Sequence, residues 1–427
     1  MKFSGKRILF LGTNVGSVDM VKYAKSHGAY TIVADYLPEK ESEAKQICDR
    51  SYSISTADTE GLLCLARAEK INGVLAGISE FNLLQAMRLC NLCDLPFYCN
   101  FKQWECVENK KEFRKLCLKF NVPTPKTYYT GNSDIEFENL IYPLVVKPVD
   151  SGASKGVSIC NNRQECAEAI EIAKEISDSG SVIIEEFVKG EEFTAHYFIV
   201  DGKSKLISID NRFPVSVNQG SVTTIPVARL YPSLFLDEYE KQVNEKMIDL
   251  CDSLCLNVGV LFVQGLYNKE SNCFYIFEAG LRSAGEAPYR ILEVVNGTNY
   301  MHALVDYSLL GKVTEYNIRK EDPKLKGKSC AVISFVSKGG RIAKITGVEE
   351  ISETIPHIIS SERRYKEGDI TPSGNTLYQI VLRFVLVCDT KKQLYDDINQ
   401  INNSVHVLGD DGSDICLRFD IHSFRAE

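Results

Sequence analysis

The chain has 427 residues, 44% hydrophobic and 25% charged, the balance of a water-soluble globular protein, and its length corresponds to about two to four domains. Its formal net charge of −8 argues against nucleic acid or an anionic membrane surface as the main partner, because both reward clustered Lys and Arg. The N-terminal apolar run is too short for a secretion signal, and no stretch of about 18 apolar residues exists to span a bilayer. The 15 cysteines are odd in number and many, such as Cys117 and Cys251, occupy core-like positions, so they read as reduced thiols of a cytoplasmic protein.

Residues 1 to about 100 alternate strand and helix signals. Strands are expected at 7–11, 30–34, 51–54 and 73–76, and helices at 18–26, 59–70 and 80–90. That rhythm implies a doubly wound parallel sheet. The turn Gly12-Thr13-Asn14-Val15-Gly16 lacks the G-x-G-x-x-G order and reads as a tight strand-to-helix connection. Residues 105–120 are expected to form a single basic amphipathic helix, broken by Pro123 and Pro125.

The texture then changes to α+β with antiparallel pairs. Strands are expected at 144–147, 157–160, 182–187, 192–200 and 205–210, with a helix at 163–177. A long helix follows at about 237–256, then paired strands at 258–267 and 273–279, then a helix at 299–310. Beyond about 325 the chain is β-rich, with a helix at 391–402. The fold class is therefore α/β and α+β multidomain, divided as 1–104, 105–320 and 321–427. The middle part splits into one lobe at about 122–190 and another at about 191–320.

Three segments carry chemistry. The first ends a strand on Lys147 and continues into Ser151-Gly152-Ala153-Ser154-Lys155-Gly156. A lysine at the end of an apolar strand aims a fixed positive charge past the sheet. The small residues behind it let backbone N–H groups approach an oxyanion. The order is not that of a P-loop. The second is Glu185-Glu186-Phe187-Val188, read as an edge strand whose backbone can pair with an adenine. Glu192, seven residues after Glu185, can accept from ribose hydroxyls. In the third, Gln264 and Glu278 fall on paired strands with their oxygens on one side, hard ligands suited to magnesium, and Arg282 adds a forked donor for a phosphoryl or acyl-phosphate group.

In this order these motifs resemble the ATP-grasp superfamily over residues 6 to 310. The carboxylate–amine ligase, carbamoyl-phosphate-synthetase-like and biotin-carboxylase-like branches come closest. The resemblance implies that residues 1–104 are a Rossmann-like pre-ATP-grasp domain, that 105–320 are the two-lobed ATP-grasp domain, and that 321–427 are a β-rich C-terminal region. It places Lys110 and Lys147 on the phosphates of ATP, with Ser151, Gly152, Ser154 and Gly156 in the loop above them. It places Glu185, Glu186, Phe187 and Val188 at the adenine, and Glu192 at the ribose. Glu278 and Gln264 become ligands of Mg2+, for which Mn2+ could substitute, and Arg282 and Lys155 become the catalytic cations. The family's E-x-N-x-R stands here as Glu278-Ala279-Gly280-Leu281-Arg282, so one metal ligand is missing at Gly280.

The implied reaction activates a carboxylate as an acyl phosphate and couples it to an amine, as in an amino-acid or dipeptide ligase. The substrates are small carboxylates and amines, with no nucleic acid and no membrane, and a homodimer is the family default. A bicarbonate-activating carboxylase or carbamoyl-type enzyme and a non-catalytic ATP-binding protein are the alternatives. Glu80 reads either as a helix N-terminal acid favoured by the dipole or as a group that reaches the cleft and holds an amine, and Arg290 as a candidate for a substrate carboxylate.

Overall fold

A computed structural model describes residues 1–421 except 134, 153, 154 and 218–223. The N-terminal part is a parallel sheet of β1 (Arg7–Leu11), β2 (Tyr30–Ala34), β3 (Arg50–Tyr52) and β4 (Gly73–Ala76), in the order β3-β2-β1-β4. Strands β1, β2 and β4 are almost wholly buried, which explains their unbroken apolar sequence. Helices α1 (Val15–Ser26), α2 (Glu43–Ile47) and α3 (Thr59–Ala68) make the crossovers, and α4 (Glu80–Cys93) leaves the sheet after β4. Asn14 caps α1 by accepting from Ser17 N and also accepts from Ile78 N, which ties the end of β4 to the start of α1. Gly77 permits this closeness, since a Cβ there would lie 1.9 Å from Asn14 Oδ1. The turn so fixed delivers Ser79 as the cap of α4 and Glu80 as its first residue.

The single helix expected over 105–120 is instead two, α5 (Phe101–Glu108) and α6 (Lys110–Lys119). Asn109 breaks the run, because its side chain accepts from Lys111 N and Glu112 N and so starts a new helix. The Lys110 N–H bonds to Val149 O, which docks this break against the strand that carries Lys147.

A four-stranded antiparallel sheet follows, made of β5 (Thr127–Gly131), β6 (Leu144–Pro148), β7 (Ser158–Cys160) and β8 (Val182–Glu186), in the order β5-β8-β6-β7. Helix α7 (Arg163–Ile176) buries Cys166, Ala169, Ile170 and Ala173 against it. Strand β8 lies between β5 and β6, so it is an interior strand and not the edge strand expected from the sequence. The interior position follows from β5, whose Tyr and Thr residues gave no alternating apolar signal.

Among the described residues the largest sheet has nine strands. It holds β9 (Glu191–Val200), β10 (Lys203–Val215), β11 (Ile225–Tyr231), β12 (Val258–Asn268) and β13 (Cys273–Gly280). The helical stretch between β11 and β12 is α8 (Leu236–Tyr239) and α9 (Glu245–Ser253) with a π turn between them. After α10 (Tyr289–Asn296) and α11 (Tyr300–Leu310), strand β14 (Ser329–Ser337) pairs directly with β11. Thus the sheet runs without interruption across residue 320, where the sequence texture changes. The short pieces β15 (Gly340–Arg341) and β16 (Lys344–Thr346) precede α12 (Val348–Thr354), β17 (Ile358–Arg363) and β18 (Ile370–Thr371). Strand β19 (Ile380–Cys388), α13 (Lys391–Ser404), β20 (His406–Leu408) and β21 (Cys416–Leu417) complete the chain. The sheet order is β13-β12-β9-β10-β11-β14-β19-β17, with β21 pairing β14. No helix of the described residues is long and apolar enough to cross a membrane.

Candidate functional site

The register of the large sheet puts one polar row on one face. Glu278 of β13 stands opposite Gln264 of β12, which stands opposite Thr194 of β9, which stands opposite Asp210 of β10. Glu278 and Gln264 are half-buried side by side, as their alternation predicts. Their neighbours one step along, Gly280 and Phe262, are also paired. A Cβ on Gly280 would lie 2.5 Å from the Phe262 ring, so the aromatic ring occupies the space that a side chain at 280 would need. The Arg282 guanidinium lies 4.9 Å from the centre of that same ring.

The oxygen donors present therefore suit one hard cation that completes its shell with phosphate and water, as magnesium does with one or two carboxylates. They leave no place for the extra ligand of the family pattern. Gly280→Asn is expected to overpack against Phe262 and to cost about 1–3 kcal/mol of stability. Denaturant unfolding checks this, and a Gly280→Asn, Phe262→Leu pair should recover most of the loss.

Two lysines from distant parts of the chain come to strand β13, one beside Glu278 and one beside Phe277. Lys110, the first residue of α6, places Nζ 2.5 Å from Ser151 O and 3.8 Å from Glu278 Oε1. A buried cation at a helix N-terminus opposes the helix dipole, so this arrangement favours an anion in front of it. Lys147, at the C-terminal end of β6, lies 2.7 Å from Glu185 Oε2 and 5.7 Å from the Phe277 ring. Arg114, one turn along α6 from Lys110, bonds the other Glu185 oxygen at 2.5 Å and donates to Phe277 O at 2.9 Å. Lys147, Arg114 and Glu185 are all buried. Burial alone would push the Glu185 carboxyl up, but Lys147 and Arg114 overcome it and hold the group down at about 2. Burial, together with Arg114 and Lys110, lowers the Lys147 ammonium against the pull of Glu185.

This corrects the expectation for Glu185. Its side chain is the buried counter-ion of Lys147 and Arg114, and its strand does not offer a free edge. The chain leaves the sheet after Glu186, whose carboxylate accepts from Lys126 N at 2.8 Å. Phe187 is exposed, its N–H bonded to Pro143 O, and Val188 is half-buried beside it. Glu192 is ion-paired with Arg212, which also reaches Thr224. Ser151 and Gly152 are half-buried, Gly156 adopts φ +71° in a turn and Lys155 is exposed. Ser154 lies outside the described residues.

The sequence reading left out how Arg282 is held. Glu80 accepts from Arg282 Nε at 3.1 Å and from Nη2 at 2.5 Å, across 202 residues of sequence. Glu80 also lies close to the loop, since a Cβ on Gly152 would stand 3.1 Å from its Oε2. Glu108, the last residue of α5, accepts from Leu281 N at 2.8 Å, while Tyr98 donates to Leu281 O at 3.0 Å. Both backbone polar groups of Leu281 are thereby fixed, which aims Arg282. Burial pushes the Glu108 carboxyl well above the usual carboxylate range, with Glu80 adding to the effect and Arg282 opposing it. The only sequence signal for Glu108 was its place just before Asn109-Lys110. Arg290 bonds Asp19, Ser360 and Glu362, so it is a tether between the N-terminal and C-terminal parts and not a free carboxylate receptor. Neither lysine is remote from the acidic strand: Lys110 is beside Glu278 and Lys147 is beside Phe277.

Residues 140–288 match the family model of the ATP-grasp domain. The chain is therefore similar to the ATP-grasp domain over that segment. It is 27% identical over 288 residues to the carbamoyl phosphate synthase large chain, C-terminal section, of Methanocaldococcus jannaschii, an alignment covering 64% of this chain and 44% of that protein. The chain thus spans less than half the length of the curated relatives it matches first. Among solved structures it resembles the L-amino acid ligase of Bacillus licheniformis, with TM-score 0.76 and 17% identity over 95% of this chain and 99% of that one. It also resembles the biotin carboxylase domain of the Hydrogenobacter thermophilus 2-oxoglutarate carboxylase, with TM-score 0.77 and 15% identity over 95% and 91% of the two chains. These likenesses define the shared fold.

Proposed function

We propose that this protein is an ADP-forming ligase that uses ATP to activate a small carboxylate as an acyl phosphate and joins it to an amine. The observation that carries this reading is that Lys110 lies beside Glu278 and Lys147 beside the adjacent Phe277, with Arg282, four residues after Glu278, held by Glu80. The near end-to-end likeness to an L-amino acid ligase supports the choice of a C–N bond.

In the proposed reaction Lys110 and Lys147 hold the α- and β-phosphates of ATP, and the loop of Ser151, Gly152, Ser154 and Gly156 covers the γ-phosphate. Glu186, Phe187 and Val188 face the adenine and Glu192 the ribose, for which Arg212 must share it. Glu278 and Gln264 would hold Mg2+, or Mn2+ in its place, which when bound neutralises phosphate charge. The substrate carboxylate oxygen attacks the γ-phosphorus, a P–O bond forms and the bond to ADP breaks. The amine nitrogen then attacks the carbonyl carbon and inorganic phosphate leaves. Arg282 steadies the acyl phosphate, while Lys155 adds charge as the loop closes and excludes water. We place the protein in the cytoplasm, acting on small molecules as a homodimer, with a pre-ATP-grasp domain at 1–104, the ATP-grasp domain at 105–320 and a C-terminal region at 321–427.

ADP release measured over pools of amino acids and small carboxylates tests the proposal, and the expected result is release that requires both a carboxylate and an amine. Release with bicarbonate alone would favour the carbamoyl-type reading, which the first curated relatives keep in view. Tight ATP binding without turnover in any pool would overturn both in favour of a nucleotide-binding protein.

A further inference from the structure

We propose that His357, Cys388 and Asp397 form a binding site for a zinc-class divalent cation in the C-terminal region, away from the ATP cleft. The three come from separate elements. His357 lies in the turn before β17, Cys388 ends β19 and Asp397 lies in the second turn of α13. Their ligand atoms all lie within 4.8 Å of one another.

The backbone presets this meeting. Val387 N bonds to His357 O at 2.9 Å, which sets the histidine beside the residue preceding Cys388. Thr390 caps α13 through Gln393 N, and Asp389 N bonds the Gln393 side chain, so the short link from β19 into the helix is fixed. Leu394, Ile398 and Ile401 anchor α13 in the core, which leaves Asp397 facing the strand end.

The distances suit a small tetrahedral ion. Cys388 Sγ stands 3.5 Å from Asp397 Oδ2, close to the roughly 3.6 Å expected between sulfur and oxygen across a tetrahedral zinc. His357 Nδ1 is 2.7 Å from the same oxygen and would have to open to roughly 3.3 Å. On binding, the thiol S–H and the imidazole Nδ1–H give way to bonds to the ion. The thiol proton and the Nδ1 proton pass to solvent, and the metal-bound neutral imidazole carries its single hydrogen on Nε2, taken up from solvent if it was not already there.

The donor set selects the class of ion. One thiolate, one imidazole and one carboxylate match zinc, or cobalt in its place, whereas magnesium and calcium prefer oxygen alone. Three protein ligands leave a fourth position. The side chains of His357 and Asp397 are 27% and 15% exposed, so water can reach that position.

Charge separates this cluster from the other His-and-carboxylate group in the molecule. There, His196, Asp210 and Glu286 are equally close, but the Arg229 guanidinium sits 2.9 Å from both carboxylates and already supplies the positive charge. Among the described residues no Lys or Arg is bonded to Asp397 or His357, whereas Asp389, next along the chain from Cys388, is already paired with Lys328 and is not counted as a ligand.

The test uses the full chain, stripped with a chelator and titrated with Co2+ alone. The expected result is tetrahedral visible bands with a thiolate-to-cobalt charge-transfer band, both abolished by Zn2+ and unaffected by excess Mg2+. Cys388→Ser should lose the charge-transfer band, and His357→Gln and Asp397→Asn should weaken binding by at least about 10²-fold. Absence of the band in the wild-type chain overturns the proposal. So does its persistence in Cys388→Ser, since that would assign it to another of the 15 cysteines. If Cys388→Ser fails to fold, the Zn2+-dependent rise in melting temperature decides: it should be present in the wild type and absent in Asp397→Asn, and an equal rise in both overturns the proposal.

Discussion

Replacing Lys147 with alanine is expected to lower ATP-dependent turnover by a factor on the order of 10²–10³, the loss that follows removal of one preorganised charge from a closed site. The side chain is buried at the end of β6, held by Glu185 at 2.7 Å and 5.7 Å from the ring that precedes Glu278. Steady-state ADP release checks the effect, with circular dichroism to show that the variant is folded. Arginine at this position should not restore the rate, because its planar fork cannot sit where the compact ammonium does.

Glu185→Gln is expected to act mainly on stability. The carboxylate neutralises two buried cations, and removing one member of such a group leaves uncompensated buried charge, a loss of about 3–5 kcal/mol. Denaturant unfolding at neutral pH measures it. The pH dependence gives a second reading. The Glu185 carboxyl is held at about 2 in the folded chain against an ordinary value of 4.5. A group depressed on folding stabilises fully above its unfolded value and loses that contribution as pH falls through its folded value. The wild-type chain should therefore lose stability as pH drops from about 4.5 toward 2, and the variant should lack that part of the acid limb.

The N-terminal sheet was legible because parallel strands buried on both faces must be continuous apolar runs, as in Ile8-Leu9-Phe10-Leu11. The positions of Lys110 and Lys147 were legible because one starts a helix and the other ends a strand, and those of Gln264 and Glu278 because paired strands set them opposite one another. What sequence could not show was pairing across distance. Glu185 was placed on an edge strand at the adenine because nothing local reveals Arg114, 71 residues earlier, as the partner of its side chain. Glu80 and Arg282 are 202 residues apart, and Glu108 and Leu281 are 173 apart. Strand β11 escaped notice because Pro226 and Arg229 interrupt its apolar pattern, although Arg229 is buried against Asp210 and Glu286. The break at Asn109 was masked by the uniform charge of the surrounding residues.

The unbroken pairing of β11 with β14 has a consequence for how the protein can be divided. Cutting the chain after residue 320 would strip the partner from Ala228, Arg229, Leu230 and Tyr231 and leave a bare, apolar margin of unfilled backbone donors and acceptors. The same cut would remove Arg383, whose guanidinium donates to Gly285 O in the loop that carries Arg282. The last quarter of the polypeptide is thus a fixed wall against the part that carries Arg282, and an isolated fragment ending at that point would be prone to stick to its own copies.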